Sequence, residues 1–501
     1  MGSTATPTFQ GVAALDMGSN SFHMIVARLD GGSVKVVDRL RETVRLAAGL
    51  DDNGNLTAEA EEAALESLER LGQRLREFPP GSVRAVGTNT LRQARNSREF
   101  LRRASEALGH DVEVISGYEE ARLIYLGVAH SLADDGAERL VVDIGGGSTE
   151  FILGRGFEPE VMESLHMGCV SLTNRYFPNG EINKKQMQRA VLTAQRELEP
   201  IQGRFRRHGW QRALGSSGTI KAIDSVLQAH GWSEKGITPG GLKKLRKAII
   251  DAGRIDKLKL SGLSERRAQV LPGGVAVLSG AFEALGIELM EYADGALREG
   301  ALYDLLGRIQ HEDVRAGTVA AMAQRYHVDL NQVDGVRQTA LALLDQVRQD
   351  WGLVDELNDR LLTWGAELHE IGLDISHSGY HKHGAYIVSH ADMAGFSREE
   401  QRLLAALVRA HRRKFANKAF DGLPADWARA GRRMAVILRL AVVLRRGRSE
   451  EALPDIALSV DGDKLTLRFP EGWLEAHPLA AADLEEEAGF LAGGGFQLDV
   501  T

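Results

Sequence analysis

Two short stretches of the chain carry the residue types that phosphate chemistry needs. One runs Leu140-Val141-Val142-Asp143-Ile144-Gly145-Gly146-Gly147-Ser148-Thr149-Glu150-Phe151-Ile152-Leu153, an apolar run, a glycine turn and a second apolar run. Glycine tolerates backbone angles that other residues resist, so this reads as two strands joined by a tight loop. Three glycines in a row also strip the loop of side chains, letting backbone N–H groups approach an anion. Asp143, at the strand end, is placed to hold a metal ion or a water beside that anion. The other stretch, Val12-Ala13-Ala14-Leu15-Asp16-Met17-Gly18-Ser19-Asn20-Ser21-Phe22, repeats the order strand, D-x-G-x-x-S, strand, with Asp16 lying 127 residues before Asp143. A glycine hairpin alone would be an ordinary turn. The repeat instead predicts two similar half-domains, each offering a phosphate loop to one cleft.

A third Gly/Ser loop follows in Gly215-Ser216-Ser217-Gly218-Thr219. Acids come next: Glu119 and Glu120 fall in the first turn of a helix that a short strand runs into, and Glu150 directly follows the central loop. An acid there can simply complement the helix dipole, which is the reading preferred for Glu119. Phosphoryl transfer to water needs neutralised phosphates and a positioned base. A Glu of ordinary acidity serves mainly to orient the water.

The elements that must position these groups are legible in outline. Thr57 caps an amphipathic helix over 56–78, with Leu65, Leu68, Leu71 and Leu75 at helical spacing. Strands are predicted at 83–88 and 112–115, with helices over 89–108 and 172–198. Strands alternating with helices argue for an α/β sheet. From about residue 311 the pattern turns helical, and alternating segments at 456–460 and 464–468 close the chain as β structure.

Taken together and in order, Asp16-x-Gly-Ser-Asn-Ser, Gly117-x-Glu-Glu-Ala-Arg, Asp143-Ile-Gly-Gly-Gly-Ser-Thr-Glu, Gly215-Ser-Ser-Gly-Thr and Asp294-Gly-Ala-Leu-Arg-Glu-Gly resemble the exopolyphosphatase/guanosine pentaphosphate phosphohydrolase family, within the superfamily of actin-like ATPases and sugar kinases. The resemblance implies an α/β fold: two ribonuclease H-like domains around a cleft (1–132 and 133–310), a helical HD-like domain (311–450) and a small C-terminal α+β segment (451–501). It also implies magnesium-dependent removal of terminal phosphate from inorganic polyphosphate, with 5′-phosphohydrolysis of guanosine pentaphosphate as the alternative or a second activity. It places the catalytic base at Glu120, with Glu150 as the second candidate, and the magnesium-side carboxylates at Asp16 and Asp143. Phosphate contacts fall to Gly18, Ser19, Asn20, Ser21, Gly145, Gly146, Gly147, Ser148, Thr149, Gly215, Ser216, Ser217, Gly218 and Thr219. Arg267 resembles a phosphate-contacting arginine, with Arg266 as its competitor. Cys169 falls where a loop approaches substrate, and reads equally well as a small buried apolar residue. A homodimer is implied as well.

Composition narrows the classes. One cysteine excludes an internal disulfide framework. The apolar run 434–444 is too short to span a bilayer and contains Arg439. A soluble, cytoplasmic protein is the expectation. Net charge is −8, yet residues 401–450 carry 13 Lys and Arg against three acids. Arg432, Arg439 and Arg446, seven residues apart, would share a helix face suited to a phosphate polymer. Nucleic acid is disfavoured because no aromatics are interleaved for base stacking. His369-Glu370, with His381, His383, His390 and His411, resembles the His-Asp element of metal-dependent phosphohydrolases, but Glu370 stands where Asp is expected and no complete ligand set is visible. A kinase of the superfamily would need a sugar-site motif that is not evident, and the Walker spacing is missing at 215–221. A non-catalytic phosphate sensor would not need Glu120 and Glu150 beside intact loops.

Overall fold

A computed structural model describes residues 11–30, 33–51, 53–132, 136–309, 313–448 and 452–501. Residues at each expected domain junction, 132/133, 310/311 and 450/451, lie outside them. The chain forms two compact units, Met1–Glu312 and Asp313–Thr501.

The first unit holds two five-stranded sheets. Strands β1 (Gly11–Met17), β2 (Ser21–Asp30), β3 (Ser33–Thr43), β4 (Val83–Gly87) and β5 (Val112–Val114) are ordered β3-β2-β1-β4-β5. Strands β6 (Glu138–Ile144), β7 (Thr149–Arg155), β8 (Glu158–Leu165), β9 (Arg212–Ser216) and β10 (Met290–Tyr292) are ordered β8-β7-β6-β9-β10. The topologies are the same: a first strand pairs antiparallel with the second and parallel with the fourth. The repeated loop motif is therefore the visible part of a repeated sheet, and the fold is that of two actin-like, ribonuclease H-like domains. Both central strands are buried along nearly their whole length, which explains their unbroken apolar runs.

Helix α1 (Ala58–Gly72) starts as expected, with the Thr57 hydroxyl accepting from Ala60 N at 3.3 Å. The single helix expected over 89–108 is instead two, α2 (Asn89–Gln93) and α3 (Ser97–Leu108). The break lies where Asn96 turns aside to bond both the N–H and the carbonyl of Leu56, at 2.8 and 3.0 Å. After α4 (Gly117–His130), the helix expected over 172–198 is likewise split, into α5 (Cys169–Tyr176) and α6 (Lys184–His208). Pro178 and a left-handed Gly180 end the first, and Asn183 with Gln186 caps the second. Next come α7 (Ser217–Ala229), α8 (Pro239–Ala252), α9 (Glu265–Ala268), α10 (Leu271–Leu285) and α11 (Leu297–Ile309).

Although α11 follows the second sheet in sequence, it packs on α4 and β1 of the first half. The crossing is close enough that a Cβ on Gly300 would fall 1.7 Å from the Leu123 carbonyl oxygen, and one on Gly127 2.1 Å from that of Ala296. Beside it, buried Arg84 and Arg122 both pair with Glu119 and with Asp304 of α11.

The second unit comprises α12 (Val314–Arg325), α13 (Leu330–Val347), α14 (Glu356–Leu368), α15 (Tyr380–His390), α16 (Arg398–Ala410), α17 (Ala425–Leu444), β11 (Ala457–Asp461), β12 (Lys464–Arg468), α18 (Trp473–Ala476), α19 (Pro478–Ala492) and β13 (Gln497–Val500). The β11–β12 hairpin appears where alternation placed it, and β13 adds a parallel third strand. Residues 451–501, expected as a small separate domain, share one core with the helices: Leu465, Leu467, Leu484 and Leu491 pack with Leu438 and Trp351. No helix among the described residues is long and apolar enough to cross a membrane.

Candidate active site

The two repeated loops meet. A Cβ on Gly146 would lie 3.2 Å from that of Ser19, so the turn after β6 rests against the turn after β1. The carbonyls of Gly145 and Gly146 accept from the first N–H groups of α5, Cys169 N and Val170 N, both at 2.9 Å. Gly168 permits this approach, since a Cβ there would overlap Gly146 O at 2.3 Å. The helix start thus fixes the loop from behind.

The loops open on a cavity of about 380 Å³ that takes in most of the expected site. Asp16, Gly18, Ser19, Asn20, Ser21, Glu120, Asp143, Gly145, Gly146, Ser148, Cys169, Ser216, Ser217, Gly218, Thr219 and Arg267 all line it. Three expected contacts do not. Thr149 is buried and donates to Met167 O at 2.6 Å, so its hydroxyl is spent on packing the loop. Gly215 lies inside β9, where a Cβ would strike Ile220 and Met290. Gly147 is covered by the Asn89 side chain, 3.1 Å from where a Cβ would stand. Glu150 is also withdrawn: it pairs with Asp143 across β6 and β7, is buried, and accepts from Ser164 Oγ at 2.8 Å.

Part of the cavity lining is acidic. Burial, and then the charges of Glu120 and Asp143, push the Asp16 carboxyl well above the usual range. Burial raises Asp143 to about 7 against a hydrogen bond from Ser216, and Glu150 is raised by burial, Glu120 and Asp143. Asp16 Oδ1 is buried with no hydrogen-bond partner. Buried carboxylates that repel one another, with an orphaned oxygen among them, have a chemistry that a hard cation would offset. Among the described residues no group of three or more His, Cys, Asp and Glu side chains is drawn around a single ion. Magnesium suits this arrangement, because it keeps much of its water and takes few protein ligands.

Glu120 faces the cavity under a constraint that sequence reading missed. Arg92, of α2, donates to its Oε2 at 2.7 Å and to Ile115 O at 3.0 Å, fixing the carboxylate at the head of α4. The pair is 28 residues apart, and nothing local in the sequence announces it.

The same lining is also basic. Arg267 lies against Gly218, with Nη2 1.8 Å from where a Cβ would be. Arg266, its competitor, is directed elsewhere, donating to Ser21 Oγ at 2.6 Å and Thr43 Oγ1 at 2.7 Å. Arg39, Arg41, Arg298 and Lys221, none of them singled out from the sequence as contacts, also line the cavity. Arg298 donates to His23 Nδ1 at 3.2 Å, so His23 is a neutral acceptor. Burial and the charges of Arg298, Arg41, Arg267 and Arg266 lower its pKa to about 3. Arg41 is itself lowered, by burial and by Arg266, Arg267 and Arg298. Mutually repelling arginines in one cavity make an anion site.

Sequence comparison agrees with this geometry. The Ppx/GppA phosphatase family matches residues 25–309, and its domain III matches residues 314–488. The chain belongs to the Ppx/GppA phosphatase family. It is 40% identical over 475 residues to the guanosine-5′-triphosphate,3′-diphosphate pyrophosphatase of Aeromonas hydrophila, covering 95% of each chain. It is likewise 40% identical over 491 residues to the enzyme of that name from Vibrio cholerae, covering 97% of each. The Ppx/GppA family member of Aquifex aeolicus superposes on 60% of the chain and 98% of its own, with a TM-score of 0.51 and 27% identity. An exopolyphosphatase from Cytophaga hutchinsonii shares the fold over the same shares of each chain (TM-score 0.54, 24% identity). As a Ppx/GppA phosphatase the protein is a phosphoanhydride hydrolase.

The arginines expected to bind substrate outside the cleft are engaged by the protein itself in this fold. Arg439 of α17 is fully buried; it pairs with Glu487 of α19, one contact being 3.0 Å, and donates to Ala410 O and Arg413 O. Arg432 donates to Gly494 O and lies over Phe415 and Phe496, and Arg446 pairs with Asp483. The helix face that lacks acids in sequence receives them from α19. Of the histidines, His369, His381 and His411 cluster with ring centroids 5.4 to 6.2 Å apart, whereas His383 and His390 stand outside that cluster. Glu370 is held by Arg448 at 2.6 Å.

Proposed function

We propose that the protein hydrolyses the 5′-terminal phosphate of guanosine pentaphosphate, releasing orthophosphate. The observation that carries this reading is the cavity's mixed lining: the buried carboxylates Asp16 and Asp143 together with Arg41, Arg267 and Arg298. A substrate with phosphate groups at both the 5′ and the 3′ position suits such a site, because it offers one group for cleavage and another for the arginines. The names of the 40%-identical relatives support the same choice, and put it ahead of polyphosphate.

In this reading the loops at Gly18–Ser21, Gly145–Ser148 and Ser216–Thr219 hold the terminal phosphates. Glu120, fixed by Arg92, orients the attacking water and accepts its proton. Asp16 and Asp143 would hold magnesium, with Glu150 behind them, and the ion would supply charge neutralisation at the phosphates. Water attacks the terminal phosphorus, the bond to the bridging oxygen breaks, and the electron pair leaves with the shortened chain.

The test compares guanosine pentaphosphate, guanosine 5′-triphosphate and tripolyphosphate. Wild type should prefer the first in kcat/KM. Arg41→Ala with Arg298→Ala should raise KM for it by about 10-fold or more, the scale of removing a charge-assisted hydrogen bond. Equal use of all three substrates by wild type would sink the reading.

A further inference from the structure

Free positive charge lies where the sequence did not direct attention. On the first unit, α5 and α6 enclose a groove of about 650 Å³ lined by Arg175, Arg189, Arg196, Tyr176, Leu192 and neighbouring residues, with no acid among them. All three arginines are exposed, and among the described residues none has an ion-pair partner. In a chain of net charge −8, an acid-free concave surface with three unneutralised guanidinium groups attracts a polyanion locally.

The shape of the charge narrows the ligand. Arg189 and Arg196 are two helical turns apart on α6, about 10 Å, and Arg175 reaches in from the end of α5. That spread suits several phosphates in a row better than a single one. Tyr176 is the aromatic ring in the groove, but the Arg175 guanidinium lies 5.4 Å over its face and its hydroxyl bonds to Thr193. The ring is therefore not an open platform for a base, which disfavours a nucleic acid.

We infer that this groove is an exosite for an inorganic polyphosphate chain, separate from the catalytic cavity. The N-terminus of α5 holds the Gly145–Gly146 carbonyls, and its C-terminus carries Arg175 and Tyr176 into the groove. An eight-residue helix spans about 12 Å, so the groove and the phosphate loop lie at the two ends of one short element. The inference is independent of which substrate the cavity cuts.

The experiment is equilibrium binding of long-chain polyphosphate over a salt series, with the full-length chain. R175A/R189A/R196A should bind about 10-fold or more weakly at low salt. Its plot of log affinity against log salt should be shallower by about two, because fewer phosphates are neutralised and fewer counterions released. The corresponding triple Lys variant keeps the charge and should stay close to wild type. Hydrolysis of guanosine pentaphosphate by the Ala variant should be unchanged, which also reports that it is folded. Wild-type affinity and slope in the Ala variant would overturn the exosite, as would no polyphosphate binding by wild type. An equal loss of affinity for a single-stranded oligonucleotide would also overturn it, since the groove would then be reading any phosphate backbone. Failure of wild type to cleave guanosine pentaphosphate would instead count against the proposed activity and leave the groove standing.

Discussion

Glu120 and Glu119 are neighbours in one helical turn, yet their surroundings assign them opposite work. Glu119 is fully buried and locked between Arg84 and Arg122, whereas Glu120 lines the cavity in the grip of Arg92. Glu120→Gln should keep substrate affinity and lower kcat by about 10²–10⁴-fold, the usual contribution of a positioned proton acceptor. Steady-state kinetics with a binding measurement separate the two effects, and activity within a few-fold of wild type would move the role elsewhere. Arg92→Ala, which frees the carboxylate without removing it, should lower kcat more than it raises KM. These residues differ in how far the sequence reveals them. Glycine, serine and aspartate in a repeated order announce a loop because their conformational and hydrogen-bonding demands are local. The Arg92–Glu120 and Arg298–His23 contacts join positions 28 and 275 residues apart, and only the folded chain brings them together.

Helices show the same divide between local and distant causes. Thr57 and the leucine spacing of α1 sufficed to place its start, but the break at Asn96 depends on a bond to Leu56, which no periodicity records. The strand β13 escaped notice because four residues pairing parallel with β12 leave almost no pattern. Arg439 is the sharpest case. Its spacing from Arg432 placed both on α17, but Arg446 falls past the end of that helix at Leu444, and nothing in the spacing showed that the acidic helix α19 would cover Arg439. Arg439→Ala should therefore cost about 3–5 kcal/mol of stability, as for a buried pair left with one charge, while leaving polyphosphate affinity alone. Denaturant unfolding and a binding isotherm test the two halves; an unchanged midpoint would mean the pair is not buried in solution. At the crossing of α4 and α11, Gly300→Ala must drive a methyl into the Leu123 carbonyl. Such backbone overlap cannot be relieved by a rotamer change, so the variant should lose roughly 2–4 kcal/mol or fail to fold.

For the whole molecule, buried groups answer acid in both senses. In the first unit, Asp16, Asp143 and Glu150 have raised pKa values, so at those groups the folded state binds protons that the unfolded state releases, whereas His23 and Asp304, both lowered, act in the opposite sense. In the second unit, the histidine cluster acts in the sense of His23. His369 Nδ1 and His411 Nδ1 donate to Ala366 O at 2.6 Å and Val408 O at 2.7 Å, which leaves both Nε2 lone pairs buried and unpartnered, as is His381 Nδ1. Burial lowers all three, His381 to about 4, where Arg409, Arg412, Lys382 and Arg413 add to the effect. For His411 the neighbouring His369, His381 and Arg412 also oppose protonation. Glu370 favours the charged form of His369, but Arg448 already holds that carboxylate. The unfolded chain takes up protons near pH 6.5 while the folded unit refuses them until about pH 4, so this unit should lose stability as pH falls through that window. A single melting temperature would blend the two responses. Hydrogen exchange resolved by segment separates them: after correction for the intrinsic rate, protection across α14, α15 and α16 should fall steadily from about pH 7 to about pH 4.5. His381→Gln should flatten that decline by removing one proton-binding ring. Protection that stays level in the wild type over this range would mean that the three imidazoles do not share a buried, neutral core.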